Sequence, residues 1–119
     1  MTETIKQMVV VNMAVPMGIS QLTAQIAHAS MLAVLKEGSW DASKFSINCY
    51  PELQYWLQES FTLVVCKTWG KESILKLRSE AEELGLLNAV MEDYGMTTAI
   101  AIGPAKESEL LSFKRLTLL

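Results

Sequence analysis

The chain has 119 residues, of which 50% are hydrophobic and 19% charged, so it can bury the core of one domain but not of two. Ten Lys and Arg residues stand against 13 Asp and Glu residues, a formal net charge of −3. This balance excludes binding to nucleic acid or to anionic membranes through overall charge, so any nucleic-acid contact must use a local patch. We expect a single domain over residues 1–119.

The composition gives little support for a metal, cofactor or membrane site. Two cysteines, Cys49 and Cys66, and a single histidine, His28, are too few for a zinc site built from Cys and His ligands. No cofactor is expected, and no apolar run reaches the roughly 20 residues of a membrane span. Because the first residues lack the pattern of a secretion signal, we expect free thiols and a cytoplasmic location.

The first third of the chain predicts a strand followed by a helix. Consecutive apolar, β-branched residues in 5–12 indicate a central strand covered on both faces. Pro16 turns the chain, and the Ala-, Leu- and Met-rich stretch 19–36 has good helix propensity. Gly38 lies just past this helix, where a left-handed cap is often needed.

The middle of the chain is less regular. Residues 39–60 show the weakest periodicity and predict a covering loop, with a short helix opened by Pro51. Residues 61–67 form a continuous apolar run that is typical of a buried strand. In 71–84 apolar residues recur every three or four positions, which predicts an amphipathic helix that Gly85 stops.

The C-terminal third predicts two short strands, 88–92 and 98–103, joined by a turn at 93–96. A last short helix is expected over 106–113, and 113–119 is expected to finish as an edge strand. The order of these elements predicts an α/β fold, in which helices cover a mixed sheet.

Polar residues of the first helix are few and lie on one face. At 100° per residue, Gln21, Gln25 and His28 fall within about 60° of one another. Such a stripe faces either solvent or a polar pocket. The simpler interpretation is that the glutamines lie at the surface and that His28 is a hydrogen-bonded structural residue.

The N-terminal part of the chain resembles a known family. Residues 9–12 (Val-Val-Val-Asn), 17–18 (Met-Gly) and 24–29 (Ala-Gln-Ile-Ala-His-Ala) resemble the first strand and first helix of the type II peptidyl-tRNA hydrolases. The resemblance begins in the predicted central strand and continues into the helix that carries the polar stripe.

The remainder of the chain continues this resemblance. Residues 92–95 (Glu-Asp-Tyr-Gly) and 98–104 (Thr-Ala-Ile-Ala-Ile-Gly-Pro) are similar to the family's Asp-Ala-Gly turn and its Thr-Val-x-x-Ile-Gly-Pro strand. Residues 61–86 fit the central strand and the helix that follows it. The resemblance implies a three-layer α/β/α domain with a mixed sheet of four or five strands, often a homodimer. It also implies cleavage of the ester that joins a peptide to tRNA.

Several site positions match the family and others differ. Asp93, Thr98, Gln25 and His28 match polar residues that surround the family's site. Three charged family positions are neutral here: Gln21 replaces a helical lysine, Asn12 an arginine and Ala14 an aspartate. The loop at 96–97 is shorter than usual, so one polar group is absent or is supplied by Thr97.

Ester hydrolysis needs an oriented water and donors for the oxyanion that develops on the carbonyl. Asp93 is the only obvious base, and the Thr98 hydroxyl, the Gln21 amide or backbone N–H groups can donate to the oxyanion. We therefore expect Asp93, Gln21, Thr98 and His28 to form the catalytic set. The alternative for Asp93 is a turn residue that caps its own backbone before Gly95.

The expected substrate-binding residues are Gln25, Gly18, Asn12, Thr97 and Lys67. The basic residues that could contact tRNA phosphates are few and are offset by acidic residues: Lys36, Lys67, Lys71, Lys114 and Arg115. Tryptophan and tyrosine side chains could stack on the terminal base of tRNA, although such residues more often belong to a core or an interface.

Two functions compete with peptidyl-tRNA hydrolysis. The neutral residues at Asn12, Ala14 and Gln21 favour a catalytically silent relative that acts as a binding, adaptor or regulatory module. A small regulatory domain that works through oligomerisation is a third alternative, and it predicts an exposed apolar interface around Tyr55 and Trp56.

Overall fold

A mixed five-stranded sheet forms the centre of the molecule. The structure, a computed structural model, describes residues 3–119. The elements in chain order are β1 (Ile5–Asn12), α1 (Ile19–Leu35), β2 (Gly38–Asp41), β3 (Lys44–Ile47), α2 (Pro51–Tyr55), β4 (Thr62–Thr68), α3 (Lys71–Glu83), β5 (Asn88–Asp93), β6 (Met96–Lys106) and β7 (Thr117–Leu118). A π-helical turn, Trp56–Ser60, extends α2, and a 3₁₀ helix, Glu107–Phe113, precedes β7.

The strands lie in the order β5-β6-β1-β4-β7. β1 runs parallel to β4 and antiparallel to β6, and β5 and β6 form an antiparallel hairpin. In this register Asn12 lies beside Thr68, while Asp93 pairs with Met96 at the hairpin turn. The C-terminal ends of β1 and β4 therefore meet the β5–β6 turn at one end of the sheet.

Alternate side chains of β1 enter two separate cores. Met8 and Val10 pack in a cluster with residues of α3, and Val9 and Val11 pack with residues of α1. These two faces arise because successive side chains of a strand point to opposite sides. The predicted three-layer α/β/α fold with a mixed sheet is confirmed.

Small side chains bring α1 close to the sheet. Ala29 and Ala33 of the helix are fully buried against Ala99 and Ala101 of β6. Because each of these side chains is only a methyl group, the helix backbone can approach the strands closely. This approach brings polar side chains of α1 within hydrogen-bonding distance of the sheet.

The predictions for the N-terminal half hold with two corrections. The strand 5–12 is confirmed, and the helix ends at Leu35. Gly38 is not a left-handed cap, because the helix ends in right-handed conformation at Lys36 and Gly38 begins β2. The segment 39–60 contains the β2–β3 hairpin, which its sequence did not indicate because its turn, at Ala42, lacks the usual Gly or Asn.

The C-terminal half also follows the prediction in outline. The 93–96 turn is tight, since Tyr94 and Gly95 both have positive φ, as in the hairpin turns that match strand twist. The second strand is longer than expected, the last helix is 3₁₀, and the final strand has two residues. Leu84 continues the apolar spacing of α3, but the helix ends one residue earlier, at Glu83, and Leu84 is exposed.

The two cysteines are both free thiols. Cys49 is exposed, whereas Cys66 is buried on β4. Burial raises the pKa of the Cys66 thiol, as is typical of an unreactive core cysteine. Within residues 3–119, no helix is both long and apolar enough to cross a membrane.

We expect Gly103→Ala to destabilise the fold far more than Gly85→Ala. Both glycines have positive φ, +94° and +68°. At Gly103 a Cβ would also lie 2.9 Å from the Ala105 nitrogen, whereas Gly85 has open space. We expect losses in unfolding free energy of about 3–4 kcal/mol at Gly103 and about 1–2 kcal/mol at Gly85.

Urea unfolding of the two variants and the wild type measures this difference. Equal losses would show that conformational strain alone, and not contact with the neighbouring backbone, requires glycine at position 103.

Candidate active site

Three polar side chains from separate elements meet at the end of the sheet where β1 and β4 finish. Asp93 is the last residue of β5, Thr98 lies near the start of β6, and Gln25 projects from α1. Gln25 Nε2 donates to Asp93 Oδ2 at 2.9 Å, and Thr98 Oγ1 donates to Gln25 Oε1 at 2.6 Å. We call these three residues the Asp93 cluster.

The chemistry of the Asp93 cluster determines the direction of each hydrogen bond. An ionised carboxylate can only accept, so the amide nitrogen of Gln25 must face Asp93. The amide oxygen then faces Thr98, whose hydroxyl proton it accepts. Because that proton is committed to Gln25, Thr98 is placed to orient the glutamine rather than to donate to an oxyanion.

Burial differs sharply within the Asp93 cluster. Gln25 is 4% exposed and Thr98 1% exposed, while Asp93 is half-buried. Gln25 thus holds the carboxylate from the protein side, and Thr98 in turn holds Gln25. Its hydrogen bond from Gln25 uses Oδ2, which leaves Oδ1 for a further donor such as a water molecule.

A β-bulge directs Thr98 toward α1. Met91 pairs with Ala99 and Glu92 pairs with Thr97, so Thr98 is the extra residue between them. An extra residue locally changes the side toward which a strand directs its side chains. Without the bulge, the side chain of Thr98 would point to the same face of the sheet as that of Ile100, which packs on the α3 side.

Asn12 joins three segments beside the Asp93 cluster. Its Oδ1 accepts from the backbone N–H groups of Ala14 and Gly70 at 3.0 and 2.8 Å, and its Nδ2 donates to the Thr97 carbonyl at 2.9 Å. The side chain is buried. Asn12 therefore ties the end of β1 to the β4–α3 loop and to the start of β6, and its polar atoms face the protein.

The predicted site residues divide into two groups. The structure brings Asp93, Gln25 and Thr98 together, with the Asp93 carboxylate bonded to Gln25 rather than to its own turn. Gln21 and His28 are exposed on α1, and within residues 3–119 neither is hydrogen-bonded to the Asp93 cluster.

The other expected binding residues lie around this end of the sheet. Gly18 precedes α1 in extended conformation. Thr97 is buried, and its hydroxyl oxygen has no partner within residues 3–119. Lys67 lies on β4 with its ammonium 5.7 Å from the ring centroid of Trp69, which is 60% exposed.

The burial of Gln25 matches a spacing in the sequence, but the spacing alone does not show which side of the helix meets the sheet. Gln25, Ala29 and Ala33 follow one another at intervals of four and are the buried residues of α1. A glutamine in line with two buried alanines is expected to point into the protein and to need partners there. The helical angles place Gln21, Gln25 and His28 within about 60° of one another, and so do not separate the buried Gln25 from the two exposed residues.

Most of the other basic and aromatic residues considered for tRNA binding make contacts within the protein. Arg115 pairs with Glu80, Lys114 with Glu107, and Lys36 donates to the backbone carbonyl of Asn88. The expected exposed interface around Tyr55 and Trp56 is wrong, because Trp56 is buried and its Nε1 donates to the Thr62 carbonyl at 2.8 Å. No group of three metal-ligating side chains occurs within residues 3–119.

The fold and the site together define a class: a three-layer α/β/α protein with an amide-held carboxylate at the end of its sheet. The family model described as "Peptidyl-tRNA hydrolase PTH2" matches residues 5–119. The chain belongs to this family, and the resemblance seen in its motifs is confirmed.

Relatives named peptidyl-tRNA hydrolase match over most of their length. The protein from Methanopyrus kandleri is 32% identical over 112 residues, which cover 88% of this chain and 89% of the relative. Relatives from Thermococcus sibiricus and Saccharolobus islandicus are 28% and 29% identical. Their alignments cover 86% and 87% of this chain, and 86% and 89% of the respective relatives.

We expect Asn12→Ala to lower the unfolding free energy by about 2–3 kcal/mol, because it leaves the N–H of Gly70 and that of Ala14 without their acceptor. Asn48→Ala is the matched control, since Asn48 is exposed, and we expect a change below about 0.5 kcal/mol. Urea unfolding measures both. An Asn12 variant as stable as the control would contradict the joining role of this side chain.

Proposed function

We propose that this chain hydrolyses the ester bond between the peptide and the tRNA ribose of peptidyl-tRNA. Family membership over residues 5–119 and relatives named for this activity support the proposal. The single observation that locates the proposed active site is the hydrogen bond from buried Gln25 to half-buried Asp93.

In the proposed reaction Asp93 acts as a general base. Its carboxylate accepts a proton from a water molecule while the water oxygen attacks the ester carbonyl. The tetrahedral intermediate then collapses, the carbonyl–ribose bond breaks, and the ribose oxygen leaves with the proton that Asp93 returns. The products are a tRNA with its ribose hydroxyl restored and a peptide carboxylic acid, which releases the second water proton to solvent as it ionises.

Gln25 and Thr98 are positioning residues in this mechanism. The 2.6 and 2.9 Å hydrogen bonds hold the carboxylate in one orientation without neutralising its charge.

The oxyanion needs donors other than Thr98. Gln21 lies one helical turn before Gln25 and is exposed, so its amide can reach a substrate bound over Asp93. We propose Gln21 as an oxyanion donor and His28, three residues after Gln25, as a substrate contact on the same exposed side of α1. A side-chain amide contributes a hydrogen bond here without the charge of the family's lysine.

The tRNA is proposed to lie across the β4–α3 loop. Lys67 and the exposed Lys71 flank Trp69, and the Gly70 N–H of this loop is tied to Asn12 next to the Asp93 cluster. Two ammonium groups and an exposed indole ring provide phosphate contacts and a stacking surface for one base.

We further propose that the chain acts in the cytoplasm as a homodimer. Exposed apolar side chains on the C-terminal half of α1, those of Met31, Leu32 and Leu35, support a contact between copies.

We expect Asp93→Asn to slow peptidyl-tRNA hydrolysis by about 10²–10⁴-fold, because an amide cannot accept the proton from water. Asp41→Asn is the matched control, since Asp41 is the only other aspartate and lies exposed in the β2–β3 hairpin. Single-turnover hydrolysis with excess protein at low salt measures both variants against the wild type.

Cleavage that survives in Asp93→Asn would remove this residue from the mechanism. No cleavage by the wild type, with tRNA binding intact, would overturn hydrolysis in favour of a binding module.

We expect Trp69→Ala to weaken binding of deacylated tRNA by about tenfold, the typical loss of one stacked base. Trp40→Ala is the control, because Trp40 is also exposed but lies in the β2–β3 hairpin, beyond the opposite end of α1. Filter binding at fixed salt measures both. Equal losses in the two variants would place the tRNA elsewhere.

A further inference from the structure

Tyr94 is the most exposed of the large apolar and aromatic side chains that the structure describes. It occupies the first position of the two-residue turn between β5 and β6, directly after Asp93, and 92% of its surface is accessible. The ring therefore makes almost no contact within residues 3–119. Packing does not explain an aromatic residue here, since an exposed ring gains nothing from the hydrophobic effect in the free protein.

A tyrosine is also an unfavourable residue for this turn. The φ angles of Tyr94 and Gly95 are +51° and +76°. A hairpin turn with positive φ at both central residues prefers Asn or Asp followed by Gly, because a bulky side chain raises the free energy of the left-handed conformation. Asparagine at position 94 would therefore suit the fold better, and a ring at this position indicates a role outside the fold.

Two further exposed apolar side chains lie at this end of the sheet. Met96 begins β6 immediately after the turn, and Ile19 begins α1. Ile19 precedes Gln25 by six residues, or about 9 Å along the helix axis, so the start of α1 extends past the Asp93 cluster. We call Ile19, Tyr94 and Met96 the apolar rim.

Charge and strand order indicate which part of the substrate covers the apolar rim. Because the strands lie in the order β5-β6-β1-β4, β5 is three strand spacings, about 14 Å, from β4 and its loop. Lys67 and Lys71 flank that loop, whereas the charged residues next to Tyr94 are the carboxylates Glu92 and Asp93. Phosphate groups are thus favoured at the loop and disfavoured at the turn, which leaves the turn to the peptide.

We propose that the apolar rim binds the side chain of the amino acid that is esterified to the tRNA, and that Tyr94 makes it favour an aromatic or large apolar side chain over glycine. This inference rests on the proposed function, because Asp93 determines where the ester lies. The Cα atoms of Asp93 and Tyr94 are about 3.8 Å apart, so the amino acid at the ester is the part of the peptide nearest the ring. Contact removes both apolar surfaces from water.

Two analogues that cannot be hydrolysed test this contact without chemistry. One carries acetylphenylalanine and the other acetylglycine, each joined by an amide bond to the 3′ nitrogen of 3′-amino-3′-deoxyadenosine. Titration of ¹⁵N-labelled protein, followed by NMR at the Gly95 and Met96 amides, measures both dissociation constants. We expect the phenylalanine analogue to bind about tenfold more tightly. Equal affinities, or the absence of saturable shifts with both analogues, would overturn the proposal.

Variants at position 94 separate the ring from the turn. Tyr94→Asn removes the ring and suits left-handed φ, and we expect the two affinities to come within about twofold of each other. Tyr94→Phe keeps an aromatic ring and is expected to keep the preference. Trp40→Ala, which removes an exposed ring from the β2–β3 hairpin, is the matched control and is expected to leave the preference unchanged. A preference that persists in Tyr94→Asn would exclude Tyr94 as its source.

Single-turnover hydrolysis of acetylphenylalanyl and acetylglycyl esters of one tRNA sequence separates this inference from the proposed function. We expect Tyr94→Asn to lower the ratio of the two cleavage rates, at subsaturating protein, by about tenfold. The intrinsic reactivities of the two esters cancel in this comparison with the wild type. If the wild type cleaves neither ester but still prefers the phenylalanine analogue, hydrolysis is overturned and the contact stands.

A second copy of the chain is the other occupant to test. Chemical shifts of the Gly95 and Met96 amides, measured without ligand over a range of protein concentrations, report on it. We expect them to stay constant. Shifts that change with protein concentration would assign the apolar rim to a contact between copies and overturn the peptide contact.

Discussion

The central strand β1 positions every part of the proposed site. It hydrogen-bonds to β4 on one side and to β6 on the other, and its alternate side chains pack against α1 and α3. A shift of one residue would exchange the two packed faces, so the register is strongly determined. Asn12, at the end of this strand, extends that constraint to the backbone of Ala14, Gly70 and Thr97.

The Asp93 cluster follows from the burial of one amide. A glutamine side chain inside an apolar layer costs free energy unless both its ends are hydrogen-bonded. Asp93 and Thr98 provide these partners, and the contact between Gln25 and Asp93 also orients the carboxylate proposed as the base. The contact that Asp93 receives from α1 is thus a hydrogen bond from a neutral amide.

The two ends of the sheet have different chemical character. One end carries the Asp93 cluster with Lys67 and exposed Trp69 nearby, and the other carries a cavity in which carboxylates outnumber cations. A net charge of −3 does not reveal this separation. The local placement of charge matters more than its sum, because charges beyond about 10 Å are screened at physiological salt.

The sequence by itself determined the order of the main elements, the positions of the turns at Gly85 and Gly95, and the family. These features depend on local periodicity, backbone freedom and motifs. Only the tertiary structure decided that Gln25 is buried while Gln21 and His28 are exposed, since a helical period gives relative angles but not the side that meets the sheet. It likewise decided the β2–β3 hairpin, whose turn at Ala42 lacks the usual Gly or Asn, and the bulge at Thr98, because the register between paired strands, and not the local sequence, places a bulge.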